Sequence, residues 1–189
     1  MFFAAYPGHQ TMFQNMHKNS IVKSPRVVLI TGASSGLGQS IARQLCRSGH
    51  EVYGTSRNGE AQEHFTMLPL DLTCGTSIAA AVREVIARSG RIDVLINNAG
   101  VDGAGPMEAM SDRHIAYLFQ VNVFGAARLT NEVLPHMRRY GAGLIINISS
   151  LAAVNGLPYR GIYSASKAAL ERLTESLRME LAPAGIKAC

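Results

Sequence analysis

The feature that constrains this chain most is an apolar run that passes directly into a cluster of glycines and then into a helical pattern. Residues 26–31, Arg-Val-Val-Leu-Ile-Thr, form a short β-branched stretch, the signature of a strand covered on both faces. It empties into Gly32-Ala33-Ser34-Ser35-Gly36-Leu37-Gly38 and a helical stretch through about Ser48, with Ile41, Leu45 and Cys46 on one side. This order aims free backbone N–H groups and the positive end of a helix dipole at an anion. Glycines there let the backbone approach a pyrophosphate without Cβ clashes. They fall as Thr-Gly-x-x-x-Gly-x-Gly, not as G-x-G-x-x-G. Three clustered glycines also suit a plain flexible turn, but the strand before them and the helix after favour phosphate binding.

Strands and helices then alternate. Strand patterns cover residues 51–56, 65–70, 93–96 and 144–148. Helical patterns cover 77–89, about 111–140 with a break expected near Pro135, and a final stretch with Leu170, Leu173, Leu177 and Leu181 on one stripe. Near Pro183 and Gly185 that helix ends, and Ile186 to Cys189 read as the start of another strand. The alternation predicts an α/β fold, a Rossmann-like doubly wound parallel sheet between two helical layers, with ligands beyond the carboxyl ends of the strands.

Those ends carry the informative residues. The second strand closes in Thr55-Ser56-Arg57 and holds no acid to accept from the 2′-hydroxyl of NAD. An arginine suits a 2′-phosphate because its planar donors pair with phosphate oxygens, so NADP(H) is expected over NAD(H). Arg57 also has the form of a solvated turn residue. The third strand ends in Asp71-Leu72-Thr73, and the fourth opens onto Asn97-Asn98-Ala99-Gly100. By themselves the paired asparagines read as turn amides bonded to backbone. Asn122, set among Val121, Val123 and Phe124, must find partners or order water at a site.

The stretch from Ser149 to Lys167 places Tyr163 and Lys167 four residues apart, with Ser150 at the end of the preceding apolar run. On a helix, i and i+4 share a face. An ammonium beside a phenol favours phenolate and draws its titration from about pH 10 towards working pH, where it can give or take a proton. The same pair is also what a half-buried ring beside a solvated charge looks like.

Thr31 to Gly38, Asn97 to Gly100, Asn122, Ser150 and Tyr163 with Lys167 follow one another in an order and spacing that closely resemble the short-chain dehydrogenase/reductase family, from about residue 26 onwards. The resemblance implies an NADP(H)-dependent oxidoreductase moving hydride between nicotinamide and a carbonyl or secondary alcohol. It gives Tyr163 the role of general acid/base, Ser150 that of substrate-oxygen partner, and Lys167 that of the cation beside tyrosine and nicotinamide ribose. Asn122 then supports a water relay to the lysine. Gly32, Ser34, Ser35, Gly36, Leu37 and Gly38 form the pyrophosphate turn. Asp71 and Leu72 meet the adenine, and Asn98, Ala99 and Gly100 flank the ribose. No metal is implied. A homodimer or homotetramer through the last two helices is.

Composition narrows the partners. The 189 residues suit one domain, and 47% apolar with 16% charged residues is a globular balance. The net charge is +5, but Lys18, Lys23 and Arg26 lie in an acid-free start; the 18 bases less these three, against 13 acids, leave +2. That is too little for a nucleic-acid footprint. Residues 1–25 are expected to be a mobile tail ahead of a domain at 26–189. No apolar run approaches a membrane span. Three cysteines without metal spacing, Cys46, Cys74 and Cys189, point to a reducing, cytoplasmic setting. The substrate is expected to be a small, apolar molecule, because loops 101–107 and 151–159 are small and apolar. Relative to the resembled family the chain stops as the sixth strand begins, so the 144–148 strand is expected to lose its neighbour and leave an apolar edge. The competing expectation is a truncated, non-catalytic nucleotide-binding or dimerisation module.

Overall fold

A computed structural model describes residues 24–189; residues 1–23 of the expected tail lie outside the described residues. Six parallel strands, β1 (Val27–Thr31), β2 (Glu51–Ser56), β3 (Thr66–Pro69), β4 (Val94–Asn97), β5 (Gly143–Asn147) and β6 (Ile186–Ala188), form one sheet of order β3-β2-β1-β4-β5-β6. The order reverses between β1 and β4. At such a point the connections leave in opposite directions and open a crevice at the carboxyl ends.

Every residue of β1 and β4 is buried, which is why these strands read as continuous apolar runs and do not alternate. Their side chains feed two cores. Leu29 and Leu95, with Ile145 of β5, point to one face, where they meet Ile78 and Val82 of α2 (Gly75–Ser89), Leu129 and Val133 of α4 (Ala126–Tyr140), and Leu177 and Leu181 of α5 (Gly161–Leu181). Val28, Ile30, Val94 and Ile96 point to the other face, against Ala42, Ile41 and Leu45 of α1 (Gly36–Arg47). Fully burying one such side chain contributes about 1.5–3 kcal/mol.

Two expectations are corrected. The long helical pattern is interrupted near its middle, not at Pro135: α3 (Asp112–Phe119) passes into a π-helical segment, Gln120–Gly125, before α4, and Pro135 lies inside α4. The buried Asn122 lies in this segment and bonds Val101 and Ser166, and Gly125 lets Leu72 approach, since a Cβ there would stand 2.7 Å from Leu72 Cβ. Nor does the fifth strand lack a neighbour. Gly143, Leu144 and Ile145 pair with Ile186, Lys187 and Ala188, so among the described residues β6, not β5, is the outer strand. The physical reason is economy of length: three residues after the Gly185 turn (φ +69°) suffice to complete the ladder.

Candidate active site

The glycine turn shapes the floor of the site. Gly32 (φ +68°) and Gly36 (φ +56°) hold left-handed backbone that other residues adopt poorly. A Cβ on Gly38 would occupy the place of the Gly32 carbonyl oxygen and the Asn98 amide, so α1 can pack this closely only with glycine there. Ser35 precedes α1 in extended backbone, makes no side-chain capping bond, and no acid stands in the first turn. The amino end of α1 thus keeps positive potential for a ligand.

Asn98 ties this turn to β4. Its Nδ2 donates to the carbonyls of Thr31 (2.9 Å) and Gly32 (3.2 Å), while Thr31 Oγ1 accepts from the N–H groups of Asn98 (3.0 Å) and Ala99 (2.9 Å). Asn97 is not a turn amide: it is the last residue of β4, and its Nδ2 donates to Asn147 Oδ1 (2.8 Å) in the neighbouring strand. A cleft of about 350 Å³ opens above these ends, lined among others by Gly32, Ser34, Ser35, Arg57, Asp71, Leu72, Asn98, Ala99 and Gly100. Gly36, Leu37 and Gly38 lie outside its lining. Thr31, Thr55, Ser56, Leu70, Val101, Tyr117 and Val121 also line it; of these Leu70, Tyr117 and Val121 had no site role in the sequence, because they read as ordinary strand or helix residues that only folding brings in. Thr31 had a signal in its position just before the first glycine.

On the cleft wall Asp71 Oδ1 accepts from Thr73 Oγ1 (2.7 Å) and Thr73 N (2.8 Å). Those bonds, first the hydroxyl and then the backbone N–H, hold the Asp71 carboxyl below the usual carboxylate range, and the Arg57 charge adds to the lowering.

The second group of residues is assembled on α5 and the π segment. Asn122 is 1% exposed, and its amide makes three hydrogen bonds: Oδ1 accepts from Val101 N (2.8 Å), and Nδ2 donates to Val101 O (2.9 Å) and Ser166 Oγ (3.1 Å). Lys167 is also buried and donates from Nζ to Ile148 O at 2.8 Å; burial lowers its pKa. Both meet over Gly100, where a Cβ would be 3.3 Å from Asn122 Oδ1 and 3.5 Å from Lys167 Nζ. Ser150 caps a short 3₁₀ turn, Leu151–Ala153, and its Oγ accepts from Ala152 N (3.2 Å). Tyr163 lies in the first turn of α5, half-buried, and its carbonyl accepts from Ser166 Oγ (2.7 Å). Ser150, Tyr163, Lys167 and Asn122 do not line the 350 Å³ cleft; Gly100 connects the two regions.

Sheet order, switch-point cleft and glycine turn define a Rossmann-like α/β protein. The short chain dehydrogenase family matches residues 26–189, and the chain belongs to that family. A 3-ketodihydrosphingosine reductase of Bacteroides thetaiotaomicron is 45% identical over 166 residues, which are 87% of this chain and 62% of that protein. This chain therefore spans less than two thirds of the length of that relative. Among solved structures, a metagenomic short-chain oxidoreductase in complex with NADP matches with a TM-score of 0.82 at 36% identity, covering 87% of this chain and 79% of the other. An NAD+-bound xylitol dehydrogenase matches with a TM-score of 0.82 at 31% identity, covering 86% and 67%. Among the described residues no helix is long and apolar enough to cross a membrane.

Proposed function

We propose that residues 26–189 are the dinucleotide-binding domain of an oxidoreductase that uses a nicotinamide cofactor, NADP(H) in preference to NAD(H), on an apolar carbonyl or secondary-alcohol substrate. The observation that carries the reading is the cleft: the left-handed Gly32 with Ser34 and Ser35, just ahead of an uncapped helix amino end, on its floor, and Arg57 and Asp71 on its wall. The chemistry of this lining suits a dinucleotide. The backbone of Gly32 to Gly38 meets the pyrophosphate, Asp71 and Leu72 the adenine, Asn98 to Gly100 the ribose, and Arg57 a 2′-phosphate. Relatives with either cofactor exist, so the preference rests on Arg57 and on the absence of an acid at the end of β2.

When bound, the nicotinamide supplies or accepts the hydride. The chain's own part is positioning and proton handling. Ser150 donates to the substrate oxygen, and Tyr163 gives its phenolic proton to that oxygen in reduction or takes it back in oxidation. Lys167, held against Ile148 O, sets a positive charge beside the reacting end, while Asn122 anchors Val101 and the start of α5 through Ser166. The relative named for a 3-keto substrate supports carbonyl chemistry. The free cysteines among the described residues, Cys46, Cys74 and Cys189, fit a cytoplasmic setting, and the family likeness supports assembly through the last two helices.

Fluorescence titration with NADPH and NADH tests the reading. NADPH is expected to saturate at lower concentration than NADH, with Arg57→Asp moving the ratio at least tenfold towards NADH, a change of about 1.4 kcal/mol. Tyr163→Phe is expected to keep NADPH affinity within twofold while removing ketone turnover. Failure of both cofactors to saturate would overturn the assignment.

A further inference from the structure

A second cavity, of about 490 Å³, lies at the amino ends of β1, β4, β5 and β6, the opposite end of the sheet from the cofactor cleft. Its volume is that of a small-ligand site, about 300–1,000 Å³. Arg26, Arg91 and Lys187 line it, and Asp93 is the acid among its lining residues. The turns ahead of β5 and β6, Ala142 and Gly185, bring backbone without bulky side chains to its wall.

Like charges gathered around one cavity repel unless an anion comes between them. Asp93 is already engaged: its Oδ2 accepts from Val27 N (2.7 Å) and Arg91 Nε (3.1 Å). Arg91 also donates from Nη2 to Pro25 O (3.0 Å), which fixes its guanidinium and leaves Nη1 without a partner among the described residues. Arg26 and Lys187 have no ion-pair partner among the described residues. The 23 residues ahead of Ser24 contain no acid that could serve as one. Helix carboxyl ends also gather at this end of the sheet, and a cation offsets their dipoles. That accounts for Arg138 and Arg139 in the last turn of α4, whereas Arg26 and Arg91 stand ahead of strands and Lys187 within one.

We propose that this cavity binds a phosphate dianion, carried by a soluble ester or by a lipid headgroup. Three cations against one carboxylate leave two positive charges, which match a phosphate group at neutral pH and exceed what a single carboxylate neutralises. Two guanidinium groups suit phosphate oxygens, and the lysine adds a point charge. The site is independent of the nicotinamide reading, because it shares no residue with the cofactor cleft.

The test is a titration of the ¹⁵N-labelled full chain with inorganic phosphate, and with acetate at matched ionic strength, followed by amide NMR. Phosphate is expected to move the amides of 142–144 and 185–187 along a saturating curve, and acetate to leave them in place. The double variant Arg26→Ser/Lys187→Ser is expected to weaken phosphate about tenfold or more while keeping NADPH affinity. Lys187→Glu, a single change at an exposed position, is expected to weaken phosphate in the same sense. Co-sedimentation with vesicles of phosphatidic acid in phosphatidylcholine, lost in the double variant, would assign the headgroup as the source. Phosphate saturation without co-sedimentation would assign a soluble ester. Equal responses to phosphate and acetate would overturn the proposal, as would shifts confined to residues 32–36 or a phosphate affinity unchanged in both variants. None of these outcomes bears on the cofactor assignment, which the NADPH titration decides.

Discussion

Lys167 shows what the site costs at the level of one side chain. Its ammonium is buried and has Ile148 O as its hydrogen-bond partner among the described residues, so burial holds its pKa below the ordinary 10.5. The unfolded chain therefore binds more protons than the folded one between that lowered value and 10.5, and stability rises with pH across this window. Below it the full penalty for a buried charge is present. In urea unfolding from pH 7 to 10.5, the stability of the parent chain is expected to gain on that of Lys167→Met as pH climbs. A constant difference would show that Lys167 is not desolvated. The Tyr163–Lys167 spacing was legible in the sequence, but the Ile148 carbonyl that receives the ammonium was not, because it lies nineteen residues away and is backbone.

At the level of elements, the turn between β1 and α1 and the π segment are the two devices that bring the site together. Gly38 allows α1 to start against the Gly32 carbonyl and the Asn98 amide, and Gly125 allows the π segment to lie against Leu72. Because backbone and a bonded amide fill the space at Gly38, Gly38→Ala has no flexible neighbour to displace. Overpacking of this kind costs about 1–3 kcal/mol, and the shift is expected to weaken NADPH at least tenfold by moving the helix amino end. Circular dichroism melts and the NADPH titration would check both; an unchanged affinity would remove the turn from the binding site. The glycine pattern was readable from residue types. The π segment was not, since an apolar stripe looks alike whether one turn is widened or not, and Pro135 offered a false breakpoint.

For the molecule as a whole, the cleft draws its lining from the ends of β1 and β2 and from the segments that follow β3 and β4, so a ligand there braces most of the sheet at once. NADPH at about 100 times its Kd is expected to add about 2.7 kcal/mol, or about 5–10 °C in Tm for a chain of this size, measured by differential scanning calorimetry. No shift would mean that the cleft is not the binding site. The sequence by itself determined the strand and helix alternation, the glycine turn, and the order of residues at the strand ends, because steric freedom at glycine and the periodicity of burial are local properties. Only the tertiary structure decided that Asn97 reaches Asn147 across fifty positions, that Asn122 grips Val101 and Ser166, that β6 closes on β5, and that the loops carrying Tyr159 and Gly105 meet. Such pairings depend on strand register and on which helices the sheet brings together, and those follow from the joint burial of both cores; no single stretch of residues encodes them.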